Sequence, residues 1–437
     1  MGSKLFVFDD DPTGTQSVHG VPVRTRWNSE SLARELEDPA PACFLLANSR
    51  ALPEADAAEL ARETGRALKA AMDATGRAAA VVSRSDSTLR GHYPAEVDAL
   101  AEGLGIPEAT ILLCPFFAAG GRVTLDGVHC LMQDGRAVPV GETEFARDAT
   151  FGYRASRLDD WVVEKTAGRI RREQVGRIDV ATIALGPDAI ADRLVEMAGG
   201  FRVVTIDAAK REHVAAVAEG ARRAEGRGAT LLARTAADYA AARAGIEPIP
   251  PLDAQALGLR EGPVLTVVGS YVDRTTRQLE RLQALPDLEI VEVDVEALIG
   301  PDGEIEAGRC RDIAGARLAS GRDTVLATSR TRHHAGDLAV GAAVAARIAA
   351  IVRDLVDRVA PRCLVAKGGV TSSVLAVDAL GVERAWVEGP ALPGVPVWRL
   401  GPESRAPGMP LVVFPGNVGD DDALAEVVRR YRCRNRD

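Results

Sequence analysis

Three short stretches near the start of the chain carry more reactive polar chemistry than a solvated loop needs. KLFVFDDDPTGT ends an apolar run on Asp9, Asp10 and Asp11, ANSRA supplies Ser49 and Arg50, and SRSDSTLRG supplies Asp86, Ser87 and Arg90. Neighbouring carboxylates repel one another and are expensive to desolvate, so three at the end of an apolar strand mark a place with a compensating purpose. Arginine holds a carboxylate through two parallel hydrogen bonds, and hydroxyls suit a polyhydroxylated ligand. A carboxylate among them can accept a proton from a substrate hydroxyl or help to hold Mg²⁺. Each group has a structural alternative: Asp86 and Ser87 can cap the next turn, and Arg90 can form an internal ion pair. CPFFAAGGRVTLDGVHC, residues 114–130, adds Arg122 in a glycine-rich segment. His92 and His129 lie near these stretches, but no His/Cys/Asp spacing makes a zinc site.

The C-terminal half holds a second kind of chemistry. VLTVVGS, CLVAKGGVTSS and LVVFPGNVGDDD each run from an apolar strand into a glycine turn and then a helical pattern. Their turn residues are Gly269 and Ser270, then Gly368, Gly369, Val370 and Thr371, then Gly416 and Asn417. Glycine lets a ligand approach the backbone, and free N–H groups at helix starts attract phosphate. One such turn is ordinary connection chemistry; three in one half suggest a binding edge. Lys367 could neutralise a phosphate or simply be solvated. G-x-x-x-x-G-K-[ST] and G-x-G-x-x-G are both missing, so neither a P-loop nor a standard dinucleotide fold is indicated.

The elements that must position these groups are legible as short apolar runs: 5–8, 43–47, 79–82, 110–114, 203–206, 264–268, 324–328, 363–366 and 411–414. Helical patterns separate them. In residues 54–72, Ala57, Leu60, Ala61, Thr64, Leu68 and Ala71 share one helical face. Continuous apolar strands alternating with helices imply parallel sheets covered on both sides, and such sheets bind ligands at the carboxyl ends of their strands. The stretch 242–262 is rich in Pro and Gly and has no period. It divides the chain into an N-terminal domain (1–245), a linker (246–262) and a C-terminal domain (263–437).

Composition bounds the function. The 437 residues are 46 % hydrophobic, 26 % charged and only 4 % aromatic, with a formal charge of -9. This is the balance of a soluble protein with aliphatic cores, and without a long basic run it argues against nucleic acid as a partner. The longest apolar stretch, AVGAAVAARIAAIV, is interrupted by Arg347 and too short to span a bilayer. No secretory signal is read, because Asp9 to Asp11 follow the apolar start too soon. The expected location is the cytoplasm, with Cys43, Cys114, Cys130, Cys310, Cys363 and Cys433 as reduced thiols that mostly act as small apolar residues.

Taken together, DDDPTGT, SRSDSTLRG, PFFAAGGRVTLDGVH with PVGETEFARD, VVGSYVDRTTRQ, AKGGVTSS and FPGNVGDDDAL resemble the four-carbon acid sugar kinase family, in its order and over nearly the whole chain. The resemblance implies an α/β protein of two domains, each a mostly parallel sheet flanked by helices, with the active site in the cleft between them. It implies an N-terminal domain for the sugar acid and a C-terminal domain for ATP. The reaction implied is transfer of the γ-phosphoryl group to the terminal hydroxyl of threonate, erythronate or 3-oxo-tetronate, in carbohydrate catabolism. Carried over by motif, the ATP contacts are Ser270, the Gly368-Gly369-Val370-Thr371 turn and Gly416, with Gly269 and Asn417 beside them. Asp10, Asp11, Asp86 and Arg90 fall in the substrate-side motifs, with Ser87 in the same run. Arg84-Ser85 stands where many relatives have Lys-Thr, Val370 where an acidic residue is frequent, and Pro12 where an aromatic one is.

The mechanism expected is in-line phosphoryl transfer, in which positioning and charge neutralisation dominate. Arg90, with Arg50 or Arg122, would hold the substrate carboxylate. Asp11 or Asp86 would orient the hydroxyl and accept its proton. The C-terminal turns would hold the triphosphate with Mg²⁺, whose protein ligands stay unassigned. A homo-oligomer is compatible with the sequence. Two rival readings are an NAD-dependent hydroxy-acid dehydrogenase and a sensor that binds nucleotide and sugar acid without turnover. The sugar acid, its stereochemistry, the identity of the base and the role of Asp9 are left open.

Overall fold

Strands that are apolar at every position must be covered on both faces, and the fold delivers this. In the computed structural model, which describes residues 3–133, 135–270, 272–330 and 338–432, the strands run in chain order as follows. They are β1 (Lys4–Asp9), β2 (Val21–Arg24), β3 (Ala42–Leu46), β4 (Ala79–Arg84), β5 (Thr110–Cys114), β6 (Arg122–Leu125), β7 (Val128–Gln133), β8 (Arg136–Pro139) and β9 (Val175–Ile178). There follow β10 (Val203–Ile206), β11 (Leu231–Thr235), β12 (Val264–Val268), β13 (Glu289–Val293), β14 (Thr324–Thr328), β15 (Cys363–Lys367), β16 (Arg384–Leu392), β17 (Val395–Leu400) and β18 (Pro410–Phe414). Every residue of β1, β3, β5, β12, β14, β15 and β18 is buried.

The chain forms two compact units. One comprises residues 1–17 and 26–248, the other residues 18–25 and 249–437. Residues 18–25, which the sequence boundaries place in the N-terminal domain, belong to the second unit. Their strand β2 pairs antiparallel with β16, so its hydrogen-bond partner lies in the C-terminal half.

In the first unit a parallel sheet runs β3-β1-β4-β11-β5-β10-β9. The register places Asp9 level with Leu46 and Arg84, and Arg84 level with Thr235. The polar segments after β1, β3 and β4 therefore emerge side by side at one sheet edge. Phe6, Phe8, Leu45, Leu68, Leu100, Leu113 and Trp161 belong to its core. Burying each such side chain contributes about 1.5–3 kcal/mol. The helix Glu54–Thr75 buries Ala57, Ala61, Thr64, Leu68 and Ala71 of the expected face, with Leu60 at its margin, and adds Gly65. Its neighbour, the helix Ala95–Leu104, approaches so closely that a Cβ on Gly103 would lie 2.2 Å from the Arg62 carbonyl oxygen. A small antiparallel sheet, β6-β7-β8, carries Arg122 and His129.

In the second unit the order is β13-β14-β12-β15-β18-β17-β16-β2. The first five strands are parallel; β17, β16 and β2 continue antiparallel. Val264, Val268, Val325, Val365, Val412, Phe414, Leu424 and Val428 lie in its core. Most of the segment expected as a linker packs onto this unit: Leu252 N–H donates to the Pro390 carbonyl, and Leu257 is buried. Among the described residues no helix is long and apolar enough to cross a membrane. Cys43, Cys114, Cys130, Cys310 and Cys363 are buried free thiols; Cys433 lies outside the described residues.

Candidate functional site

At the carboxyl edge of the first sheet the strand ends assemble a network of carboxylates and guanidinium groups. Asp10, just past β1, is held by Arg50 from both oxygens, at 2.6 and 3.2 Å, and accepts from Ser85 Oγ at 2.8 Å. Arg50 also lies 3.4 Å from Asp11 and 4.0 Å from Asp86. Arg84, the last residue of β4, places one Nη1 between Asp9 Oδ1 (3.0 Å), Asp10 Oδ1 (3.4 Å) and the Asp11 carbonyl (3.4 Å). Two shared guanidinium groups thus compensate three consecutive carboxylates, which is how an apolar strand can end on them.

Asp86 is held from the other side. Arg90 Nε donates to its Oδ2 at 2.8 Å, and the Thr88 hydroxyl donates to the same oxygen. Burial raises the Asp86 pKa, but Arg90 and Arg50 more than offset it and hold the carboxyl far below the usual range. Asp11 is buried too, and Arg50, Arg84 and the Thr13 hydrogen bonds leave its pKa lowered. Both are therefore ionised at neutral pH and can accept hydrogen bonds from a hydroxyl. Asp9 behaves differently: burial pushes its carboxyl up to about 7 against the pull of Arg84. Among the described residues its Oδ2 accepts no hydrogen bond, and it packs against Gly14, where a Cβ would fall 2.0 Å away.

A short segment, residues 144–148, completes this edge. Arg90 lies 5.1 Å from the centre of the Phe145 ring and Arg122 lies 5.6 Å from it. Asp148 approaches Arg90 Nη1 at 3.5 Å. Ser87 contributes its carbonyl to His129 Nε2 at 2.8 Å, and His129 Nδ1 meets the Thr124 hydroxyl at 2.9 Å. A carbonyl only accepts, so Nε2 carries the proton and Nδ1 accepts from Thr124. Burial lowers the His129 pKa to about 4, so the ring is a neutral brace beneath residues 86–88. His92 is buried edge-on to Phe151.

In the second unit β12, β15 and β18 are adjacent and parallel, so their three glycine turns lie at one sheet edge. They interlock. A Cβ on Gly269 would sit 2.3 Å from Thr371 Oγ1, and one on Gly416 would sit 2.9 Å from Ser270 Oγ. Thr275 Oγ1 bonds Ser270 Oγ at 3.1 Å and the Gly416 carbonyl at 3.2 Å. Arg274 donates to the carbonyls of Asn417 and Gly419, both at 3.1 Å. Gly368 takes φ +118, open to glycine and rare for other residues. The helix that follows spans only Gly369–Val374, with Val370 exposed, and passes into a wider turn over Leu375–Ala379. Tyr271 of the VVGSYVDRTTRQ motif lies outside the described residues.

Lys367 resolves differently from either reading of its sequence position. It is fully buried, and its Nζ donates to the carbonyls of Pro415 at 2.6 Å and Gly416 at 3.2 Å. The amine also lies 4.0 Å from the centre of the Phe414 ring. Burial, with a smaller contribution from Arg274, lowers its pKa to about 6.

The domain matches follow the two units closely. Residues 5–243 match the model of a sugar-binding N-terminal domain and residues 265–424 that of a nucleotide-binding C-terminal domain. The chain belongs to the four-carbon acid sugar kinase family. A D-threonate kinase from Salmonella typhimurium is 25 % identical over 97 % of both chains. A 3-oxo-tetronate kinase from Methylobacterium radiotolerans is 30 % identical over 88 % of this chain and 87 % of its own. A D-erythronate kinase from Heliobacterium modesticaldum is 26 % identical over 68 % of this chain, and the match spans 64 % of that relative's length. A Salmonella typhimurium protein of known structure shares the fold with a TM-score of 0.71 at 18 % identity, covering 99 % of this chain and 100 % of that one.

Within this sugar-acid kinase framework, the structure gathers Asp10, Asp11, Arg50, Asp86, Ser87 and Arg90 at one edge and reaches Arg122 through Phe145. It gathers Gly269, Ser270, Gly368, Gly369, Val370, Thr371, Gly416 and Asn417 at the other. The reading from sequence missed Arg84, Ser85, Phe145 and Asp148 as builders of the first edge. Arg84 and Ser85 stood inside a motif already singled out; Phe145 and Asp148 stood in PVGETEFARD, with no local sign of their distant partners. Among the described residues no group of three or more His, Cys, Asp or Glu side chains could hold a metal ion. Mg²⁺ takes most of its ligands from water and phosphate oxygens and needs only one or two carboxylates.

Proposed function

We propose that this family member is an ATP-dependent kinase that phosphorylates the terminal hydroxyl of a four-carbon sugar acid of the threonate, erythronate or 3-oxo-tetronate type. The observation that carries this reading is the network of Asp10, Asp11 and Asp86 with Arg50 and Arg90 at the edge of the sugar-binding unit. Arg90 and Arg122 hold the carboxylate of the acid. Arg50, engaged by Asp10 and Asp11, orients those carboxylates rather than the substrate. Asp11 or Asp86 accepts a hydrogen bond from the attacking hydroxyl and aims it. Their lowered pKa values make them weak bases, which suits a loose transition state where the proton leaves late. In the nucleotide-binding unit, the backbone of the three glycine turns, with Ser270 and Thr371, receives the phosphates of ATP. Mg²⁺ brought with ATP would supply charge neutralisation at the transferred phosphoryl group.

The test is a coupled ADP-release assay with Mg-ATP and a panel of D- and L-threonate, D- and L-erythronate and 3-oxo-tetronate. At least one acid should raise ADP release well above the rate without substrate. No stimulation by any acid would sink the kinase reading. Binding of both ligands without ADP release would mark a sensor, and NADH production from a hydroxy acid would mark a dehydrogenase.

A further inference from the structure

We propose that Phe145 is a positioning residue that sets preference for a carboxylate on the substrate: its ring holds the guanidinium groups of Arg90 and Arg122 so that both serve one anion. The inference rests on the sugar-acid reading above and assigns it a residue outside the motif arginines themselves. Its basis is geometric. Two cations, from the turn after β4 and from the start of β6, converge on one half-buried ring at 5.1 and 5.6 Å. Two guanidinium groups repel each other, and an aromatic face is a neutral surface that attracts both.

The ring is itself held firmly. It lies on the single turn Glu144–Arg147, whose Phe145 carbonyl accepts from the Asp148 N–H at 3.3 Å. Ala146 accepts from Tyr153 N–H at 3.1 Å, and Asp148 Oδ1 caps the N–H groups of Thr150 (2.9 Å) and Phe151 (3.0 Å). Asp148 Oδ2 in turn steers Arg90 at 3.5 Å. Arg90 is thus fixed by Asp86 on one side, Asp148 on another and the ring across its face. Arg122 Nη1 donates to the Gly120 carbonyl while its guanidinium lies over the same ring. An anion that engages both arginines would meet guanidinium groups already held in place, which reduces the ordering cost of binding.

The experiment compares wild type with Phe145→Leu and Phe145→Tyr, using the best acid from the panel and a four-carbon polyol that lacks the carboxylate. Phe145→Leu should raise the KM for the acid about ten-fold while kcat and the KM for ATP stay within about two-fold. Phe145→Tyr should keep the wild-type KM, because the ring and not the residue is the device. Any turnover of the polyol should fall less than that of the acid in Phe145→Leu, so acid-over-polyol preference falls in that variant alone. An unchanged acid KM in Phe145→Leu overturns the inference, as does equal loss on acid and polyol, which would report damaged folding. If wild type turns over no acid, thermal-shift titration with the same acids reads the contrast instead. Stabilisation of wild type and Phe145→Tyr but not Phe145→Leu supports the inference although the kinase reading has failed; no difference overturns both.

Discussion

Asp9 is the residue whose role the sequence left open, and burial decides it. A lone carboxylate beside two others looks like added repulsion. In the structure it faces Arg84 through one oxygen and Gly14 through the other, with Asp10 and Asp11 as its charged neighbours on the same segment. The folded chain keeps the Asp9 proton up to about pH 7, whereas an unfolded aspartate loses it near 3.8. Asp9 therefore favours folding in acid, and that contribution is lost as pH rises from about 4 through 7. Asp9→Asn mimics the protonated form and should not show this loss. In urea denaturation the stability of Asp9→Asn relative to wild type should improve between pH 5 and pH 8, at about 1.4 kcal/mol per pKa unit traversed. A difference that stays flat with pH would mean that Asp9 does not titrate in this window. The residue types were legible in the sequence; which carboxylate keeps its proton was not, since that depends on Arg84 and Gly14 being brought against Asp9.

At the scale of elements, the strands read best were those covered on both faces. LFVF, CFLLA, TILLC, VLTVV, TVLAT, CLVA and LVVF all lie in parallel strands of the two sheets. The strands that escaped were those that break the apolar run. β11 carries a buried Arg234, whose guanidinium lies over Tyr93 and Trp161, and β16 alternates buried and half-buried residues across Gly389 and Pro390. Turns were visible as glycines, but their interlocking was not, because it depends on the strand order β12-β15-β18. Lys367 is the clearest case, reaching from the end of β15 to the turn after β18. Lys367→Met keeps the stem against Phe414 and removes the donors. The buried Pro415 carbonyl then loses its partner, at about 1–3 kcal/mol, while the Gly416 carbonyl keeps Thr275. The variant should melt lower, and its KM for ATP should rise while its KM for the acid is kept. An unchanged ATP KM would show that Lys367 braces the fold without shaping the turn.

For the molecule as a whole, the two units make a prediction that neither makes alone. Residues 18–25 show how sequence order misleads at this scale: they sit in the N-terminal half yet pair with β16, and nothing in a four-residue strand announces so distant a partner. The division of labour was more legible, since carboxylates and arginines cluster in one half and glycine turns in the other. If that division is functional, damage should separate by substrate. Arg90→Ala removes a charged donor from the acid and strips Asp86 of its nearest cation. It should lower kcat/KM for the acid about 100-fold, the size of a lost charged hydrogen bond, with the KM for ATP within about two-fold. Gly269→Ala drives a methyl group to 2.3 Å from Thr371 Oγ1, so the Thr371 side chain must move from its place in the Gly368–Thr371 turn. It should raise the KM for ATP and leave that for the acid. Full kinetics of both variants with both substrates varied gives four KM values. A crossed pattern, each variant impairing its own substrate, is what two separate binding units require. If each variant impaired both substrates equally, the residues would be acting on a shared step, and assigning acid and nucleotide to different units would be wrong.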